Sequence, residues 1–323
     1  MIEKERKQGA PVLVLDAGNA LFKSRDSAAA PDARARAELI LSQMDAQGTA
    51  AMAVGTRDLG LGVDFLQAQT RKAKLKLLSA NLVDAQEKRL FPASMVTKLQ
   101  GVSVGVVGVS PETPKPVPVG IPAKGAPQEL VRGLPGDALV AAEVRRLRTE
   151  SKVDIVVVLA AVPYDEALRL ADQVEGVDFV VQSHDGRPPG YAQKQGQATV
   201  IPPGDRGRQL AKLVLQVAGK GRFEDAAEQD RMRQSLRLLD DNLARAKKRL
   251  ASSQDAGEKR ALEQSVASLE ARQASLRETL AGGATGGGRT HLLSYIQLGS
   301  DVPADPAVQK RVERVEPPGS AAH

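Results

Sequence analysis

The sequence predicts a layered α/β domain interrupted by an inserted antiparallel helical hairpin. Three observations carry that prediction. Short valine-rich apolar runs alternate with helically periodic stretches from about residue 10 to residue 217, the pattern of strands and helices packed in layers. From about Asp225 leucines recur every seven residues, in two segments around a short polar break. A single further strand-like run, His291 to Leu298, follows a glycine-rich hinge at Gly282 to Gly288. The expected division is residues 1–223 for the α/β domain and 224–284 for the hairpin, with 285–323 as a returning strand and polar tail completing the α/β domain.

Taken in order, Val12 to Leu15 is a continuous apolar run suited to a strand buried on both faces. Ala33 to Gln47 places Ala37, Ile40, Leu41 and Met44 at helical spacing and stops near Gly48. Ala50 to Val54, Leu75 to Ser79 and Val102 to Val109 read as strands. Pro111 to Pro135 is rich in Pro and Gly and reads as a long surface loop. Asp137 to Glu150 is an amphipathic helix, with Asp137 placed to cap its start. Asp154 to Leu159 and Val177 to Val181 are buried strands joined by a helix over Tyr164 to Gln173, and Leu210 to Val217 is a closing strand. In the hairpin, Leu236, Leu243 and Leu250 answer Leu262, Leu269 and Leu276 across the break at Ser252 to Gly257. Each arm, of about 26 residues, spans about 39 Å at the helical rise.

Composition narrows the function classes. Apolar residues make up 42% and charged residues 26% of the chain, an ordinary globular balance. No run approaches the roughly 18 apolar residues of a membrane span, and no cysteine is present for disulfides, thiolate metal sites or a thiol nucleophile. The net charge of +6 comes with only 2% aromatic residues, which argues against nucleic-acid binding by basic stripes and stacking rings. The basic run at Arg245, Lys247, Lys248 and Arg249 reads as a solvated helical face. The histidines are His184, His291 and His323.

Ligands of open α/β sheets bind at the carboxyl ends of strands. Four apolar runs end there in polar or small clusters: Asp16-Ala-Gly-Asn19, Gly55-Thr-Arg-Asp58, Ala160-Ala161 and Gln182-Ser-His-Asp-Gly186. Together with Leu-Leu-Ser-Ala-Asn81-Leu and Gly176-Val-Asp-Phe-Val-Val-Gln-Ser-His184, this series resembles the calcineurin-like metallophosphoesterases of the 5′-nucleotidase branch, over about residues 10–217. The resemblance implies an α/β/β/α sandwich and a two-metal centre at the strand ends, its ions about 3.5–4 Å apart. Such a centre calls for carboxylates, an amide oxygen and several imidazoles.

Against that pattern most ligand positions are changed. The Asp-x-His of the family's first strand has no counterpart before Val12. Gly-Asp reads Gly18-Asn19, Gly-Asn-His-Glu reads Gly55-Thr56-Arg57-Asp58, Ser-His reads Ala160-Ala161, and Gly-His-x-His reads Ser183-His184-Asp185-Gly186. His184 is the one imidazole expected at the site, and Arg57 would repel a cation. The second domain that stacks a nucleobase in longer relatives also finds no counterpart after residue 217, where the aromatic residues are Phe223 and Tyr295.

Asp16 then reads as a turn-forming acceptor rather than a ligand, and Asn19 as a turn cap. For His184 three readings stand: a satisfied core histidine, a leftover ligand, or an anion contact together with Arg57. The resemblance with its ligands replaced implies a non-catalytic relative without cofactor, with the hairpin docking a protein partner and a heptad surface that permits self-association. The alternative keeps a hydrolase, with Asp16, Asn19, Asp58, His184 and Asp185 around a single Mn or Zn ion. Met1 to Gly9 reads as the end of a helix, where relatives would already have passed their first strand. An upstream signal or lipid anchor would place the protein in the periplasm or on the cell surface, so location stays open.

Overall fold

The structure is a computed structural model that describes residues 1–122, 127–183, 190–202, 204, 207–281, 288–299 and 302–316. The chain starts with α1 (Ile2–Arg6), β1 (Val14–Asp16), α2 (Ala33–Ala46), β2 (Thr49–Ala53), α3 (Val63–Thr70) and β3 (Lys76–Leu78). Then come β4 (Leu82–Val83), β5 (Ser94–Leu99), β6 (Val102–Val109), β7 (Val117–Val119), β8 (Glu129–Gly133), α4 (Gly136–Thr149), β9 (Ile155–Ala160), α5 (Tyr164–Gln173) and β10 (Phe179–Gln182). It ends with β11 (Gln193–Gln195), β12 (Ala198–Ile201), β13 (Gln209–Val217), β14 (Glu224–Asp225), α6 (Glu228–Ser252), α7 (Ala256–Ala281), β15 (Arg289–Gln297) and α8 (Pro306–Val315). Two compact units emerge, residues 1–211 with 295–323, and residues 212–294.

The first unit is a four-layer α/β/β/α sandwich. One sheet is the parallel trio β1-β2-β3; the other has the order β11-β12-β10-β9-β6-β5, parallel from β12 to β6 with antiparallel edges. Strand periodicity explains the layering. Val156, Val158 and Ala160 of β9 turn toward Val140, Val144 and Leu147 of α4 and Leu170 of α5. Met52 and Val54 turn the opposite way, into a second core with Ala37 and Leu41 of α2 and Leu66 of α3. The sheets meet closely because β6 carries Gly108, where an added Cβ would collide with the backbone of Leu78.

Several elements differ from the sequence reading. The first strand starts at Val14 rather than Val12 and includes Asp16. The proline-rich stretch at 111–135 is not a plain loop: β7 and β8 pair antiparallel, and β8 also pairs with β4. Pro118 is tolerated because β7 is an edge strand, where one missing N–H costs no ladder bond. β5, β11 and β12 went unpredicted, their apolar content being too low or too short to stand out. The polar tail contains α8, whose Asp305 accepts N–H bonds from Ala307 at 2.8 Å and Val308 at 3.1 Å with Pro306 at the first turn. α8 lies along α2, through the Arg36–Glu316 pair at 2.9 Å and an Arg311–Ser42 bond of 2.7 Å.

In the second unit β15 lies between β13 and β14, in a sheet separate from the two above. Between β14 and β15 the helices α6 and α7 run out and back. Lys247 meets Glu270 at 2.6 Å and Arg249 meets Glu258 at 2.8 Å, while Asp240 bonds Gln273; the rising number on one helix against the falling number on the other makes them antiparallel. Leu239, Leu243 and Val266 are the buried apolar residues of this seam.

Candidate functional site

The site expected from the sequence lies at the carboxyl ends of β1, β2, β9 and β10. At the end of β1, Asp16 Oδ1 accepts the Gly18 N–H at 2.7 Å, an Asx turn. Gly18 (φ 90°) and Asn19 (φ 61°) both take the left-handed conformation that this tight reversal requires. The reversal aims backbone N–H groups inward, at Asp58. That carboxylate is fully buried at the start of a 3-10 turn, Asp58–Leu61. Its Oδ2 accepts from Asn19 N at 2.7 Å and Gly55 N at 2.8 Å, and its Oδ1 from Leu21 N at 3.1 Å.

Burial pushes the Asp58 carboxyl up to about 7, although the N–H groups of Gly55, Asn19 and Leu21 pull it down; the Asp16 charge adds to the rise. Burial likewise raises Asp16, against the pull of the Gly18 N–H. Successive backbone N–H groups that converge this way form an anion cradle. Here the anion is the protein's own side chain.

Asn19 is bonded on both sides of its amide. Oδ1 accepts the Arg57 N–H at 3.2 Å, and Nδ2 donates to Ser183 Oγ at 3.1 Å. Ser183 Oγ in turn donates to the Gly18 carbonyl at 2.8 Å. Ala161, buried after β9, would stand 3.2 Å from a Cβ added to Gly18, so the reversal packs directly on it. Thr56 and Arg57 are half-buried. Among the described residues the Arg57 guanidinium makes no hydrogen bond or ion pair; its backbone N–H is the engaged group. His184, Asp185 and Gly186 lie outside the described residues.

The structure therefore brings together Asp16, Asn19, Arg57, Asp58 and Ala161, with Ser183 as a member the sequence reading assigned no role. A second polar group borders it at the ends of β3 and β6. Ser79 Oγ and Ser110 Oγ lie 2.8 Å apart, Ser110 Oγ reaches the Val54 carbonyl at 2.6 Å, and Asn81 Nδ2 bonds the carbonyls of Ser110 and Leu134, each at 2.8 Å. All three residues are buried. The visible signal was polar residues directly after apolar strands, two of them in Ser79-Ala-Asn81. Among the described residues no three His, Asp or Glu side chains gather as a metal cluster would require.

In the second unit, His291 is buried, its Nε2 3.9 Å from Asp225, which pairs with Arg231 at 2.5 Å. The hairpin of that unit carries an open groove lined by Ser235, Leu239, Asn242, Arg272, Ser275 and Leu276, beside Leu238, which is 63% exposed.

No protein-family model matches the sequence, and no curated protein matches it. Solved structures do share its fold. The calcineurin-like phosphoesterase YfkN from Bacillus subtilis superposes with a TM-score of 0.58 at 14% identity, over 97% of this chain and 85% of that one. Sulfate thiohydrolase SoxB from Thermus thermophilus gives 0.54 at 19% identity over 66% of this chain, and a 5′-nucleotidase precursor from the same species gives 0.53 at 23% over 66%. This chain spans 38% and 43% of the length of the latter two. The chain therefore shares the fold of these structures, a calcineurin-like phosphoesterase and a 5′-nucleotidase precursor among them.

Proposed function

We propose that the protein is a non-catalytic metallophosphoesterase-like module that uses its helical hairpin to dock a protein partner. The observation that carries this reading is the state of the donor atoms. Both oxygens of Asp58 accept backbone N–H groups, and both polar atoms of the Asn19 amide are bonded within the protein. Ala161 offers no ligand side-chain atom, and Arg57 adds a positive charge to the residues of the site. These residues do not fit a two-metal centre, which needs free carboxylate and imidazole lone pairs.

For the hairpin, the support is its one-sided apolar seam and the exposed Leu238 beside the groove. Metal analysis of the purified protein, with p-nitrophenyl phosphate and nucleotide assays under added manganese, is expected to be blank. Stoichiometric metal with turnover that disappears in His184→Ala would instead establish the single-metal hydrolase. Deleting residues 226–281 is expected to leave a folded first unit that no longer captures its partner in pull-downs. Unchanged capture refutes the docking role.

A further inference from the structure

We infer that Asn19, Ser183 and Asp58 form a hydrogen-bonded clasp that joins the ends of β1, β2 and β10 in place of metal ions. The inference rests on the non-catalytic reading above and assigns what its altered residues do. Metals at such a site would tie separate strand ends by sharing ligands from each. Here the ties are all protein atoms. Asp58, beyond β2, gathers the N–H groups of Asn19 and Leu21 from the β1 reversal, at 2.7 and 3.1 Å. Asn19 returns the link through the Arg57 N–H at 3.2 Å. Ser183, beyond β10, takes the Asn19 amide at 3.1 Å and gives its proton to Gly18 O at 2.8 Å.

Two features of the backbone accommodate this clasp. Asn19 holds φ at 61°, the left-handed region that Asn enters more readily than other side-chain-bearing residues, and this turns its amide toward Arg57 and Ser183. A Cβ added at Gly55 would fall on the Asn19 amide, so the glycine leaves the room that the amide fills. The ring of bonds also closes on itself: Gly18 O, Ser183 Oγ, Asn19 Nδ2 and the 18–19 backbone form one loop. Removing either side chain opens it, so the two contributions are expected to be coupled.

The test uses the full chain and thermal unfolding followed by far-ultraviolet circular dichroism. Asn19→Gly keeps the left-handed backbone while deleting the amide, and Ser183→Ala deletes the hydroxyl. Each is expected to lower Tm by about 2–6 °C, the shift for one or two lost hydrogen bonds in a unit of this size. The double variant is expected to fall no further than about the larger single shift. Chelator, manganese or zinc is expected to leave the wild-type Tm unchanged, since a ligand stabilises only the state that binds it. If a single variant does not express folded, Asn19→Ser and Ser183→Cys supply a gentler pair for the same cycle.

Additive shifts, or a wild-type Tm that falls with chelator and recovers with metal, overturn the clasp. The two readings fail separately. Coupled losses together with phosphoester turnover would overturn the non-catalytic reading and uphold the clasp. Additive losses without turnover would overturn the clasp alone.

Discussion

Replacing Asp58 by alanine strips the acceptor from three backbone N–H groups at once, those of Leu21 and Gly55 buried and that of Asn19 part-buried. A buried donor left without a partner costs about 1–3 kcal/mol, and the lost side chain also leaves a void. The relief of desolvating a carboxyl offsets part of this, so the net expectation is a loss of about 3 kcal/mol or more. That is a large share of the roughly 5–15 kcal/mol by which domains are stable. Urea unfolding followed by circular dichroism reads it as a lower midpoint at unchanged slope. Asp58→Asn, which keeps one acceptor oxygen but turns an NH2 toward an N–H, should fall between wild type and alanine. The pH profile supplies an independent handle. A carboxyl raised to about 7 in the folded state lends stability that is fully present below its ordinary value of 3.8 and lost as pH rises through about 7. Wild-type stability should therefore decline between about pH 4 and 7, by at most about 4 kcal/mol at 1.36 kcal/mol per unit, and Asp58→Asn should flatten that decline. An alanine variant costing under about 1 kcal/mol would refute the reasoning.

The remaining expectations concern other parts of the molecule. His291 is held below its ordinary value by burial and by Arg231, against the opposing charges of Asp225 and Glu228. Its contribution is present above its unfolded value and lost as pH falls through the folded one, so protection factors in residues 212–294, with the intrinsic exchange rate at each pH divided out, should fall on going from about pH 7.5 to about pH 5, and less so in His291→Leu. Leu239→Ala should cost the hairpin about 2–4 kcal/mol, because that side chain is buried in the seam, while Leu238→Ala, 63% exposed, should leave helix melting within about 0.5 kcal/mol of wild type. Gly108→Ala drives a methyl into the Leu78 backbone and should lower the unfolding midpoint more than any seam substitution, or abolish soluble expression.

Much of the first unit was legible because buried parallel strands leave valine-rich runs, continuous in β9 and alternating with small residues in β6, and both strands lie where those runs predict them. The hairpin was legible from its leucine period. What escaped was structure held by polar contacts. β7 and β8 hide in a proline-rich stretch because their pairing uses backbone groups, and α8 hides in a polar tail because its start depends on Asp305 and Pro306 rather than on an apolar face. At the site, the positions were readable and their connections were not. Asp58 stood in the sequence as a spare carboxylate. Its three donors become visible only once Gly18 and Asn19 take positive φ angles and turn the backbone inward. Ser183 likewise gains meaning only when β10 brings it beside a residue 164 positions earlier in the chain.

The place where the hairpin leaves and rejoins its sheet sets how freely its length can change. Glu224 and Asp225 of β14 lie in parallel register with Thr290 and His291 of β15, so the chain departs and returns through adjacent strands. Because α6 and α7 are antiparallel, adding seven residues to each arm keeps the leucine seam aligned and moves the tip outward by about 10 Å. The sheet at the base need not shift to accommodate this. Lengthening both arms by whole heptads is thus expected to move the tip away from the anchor in equal steps without disturbing β14 and β15.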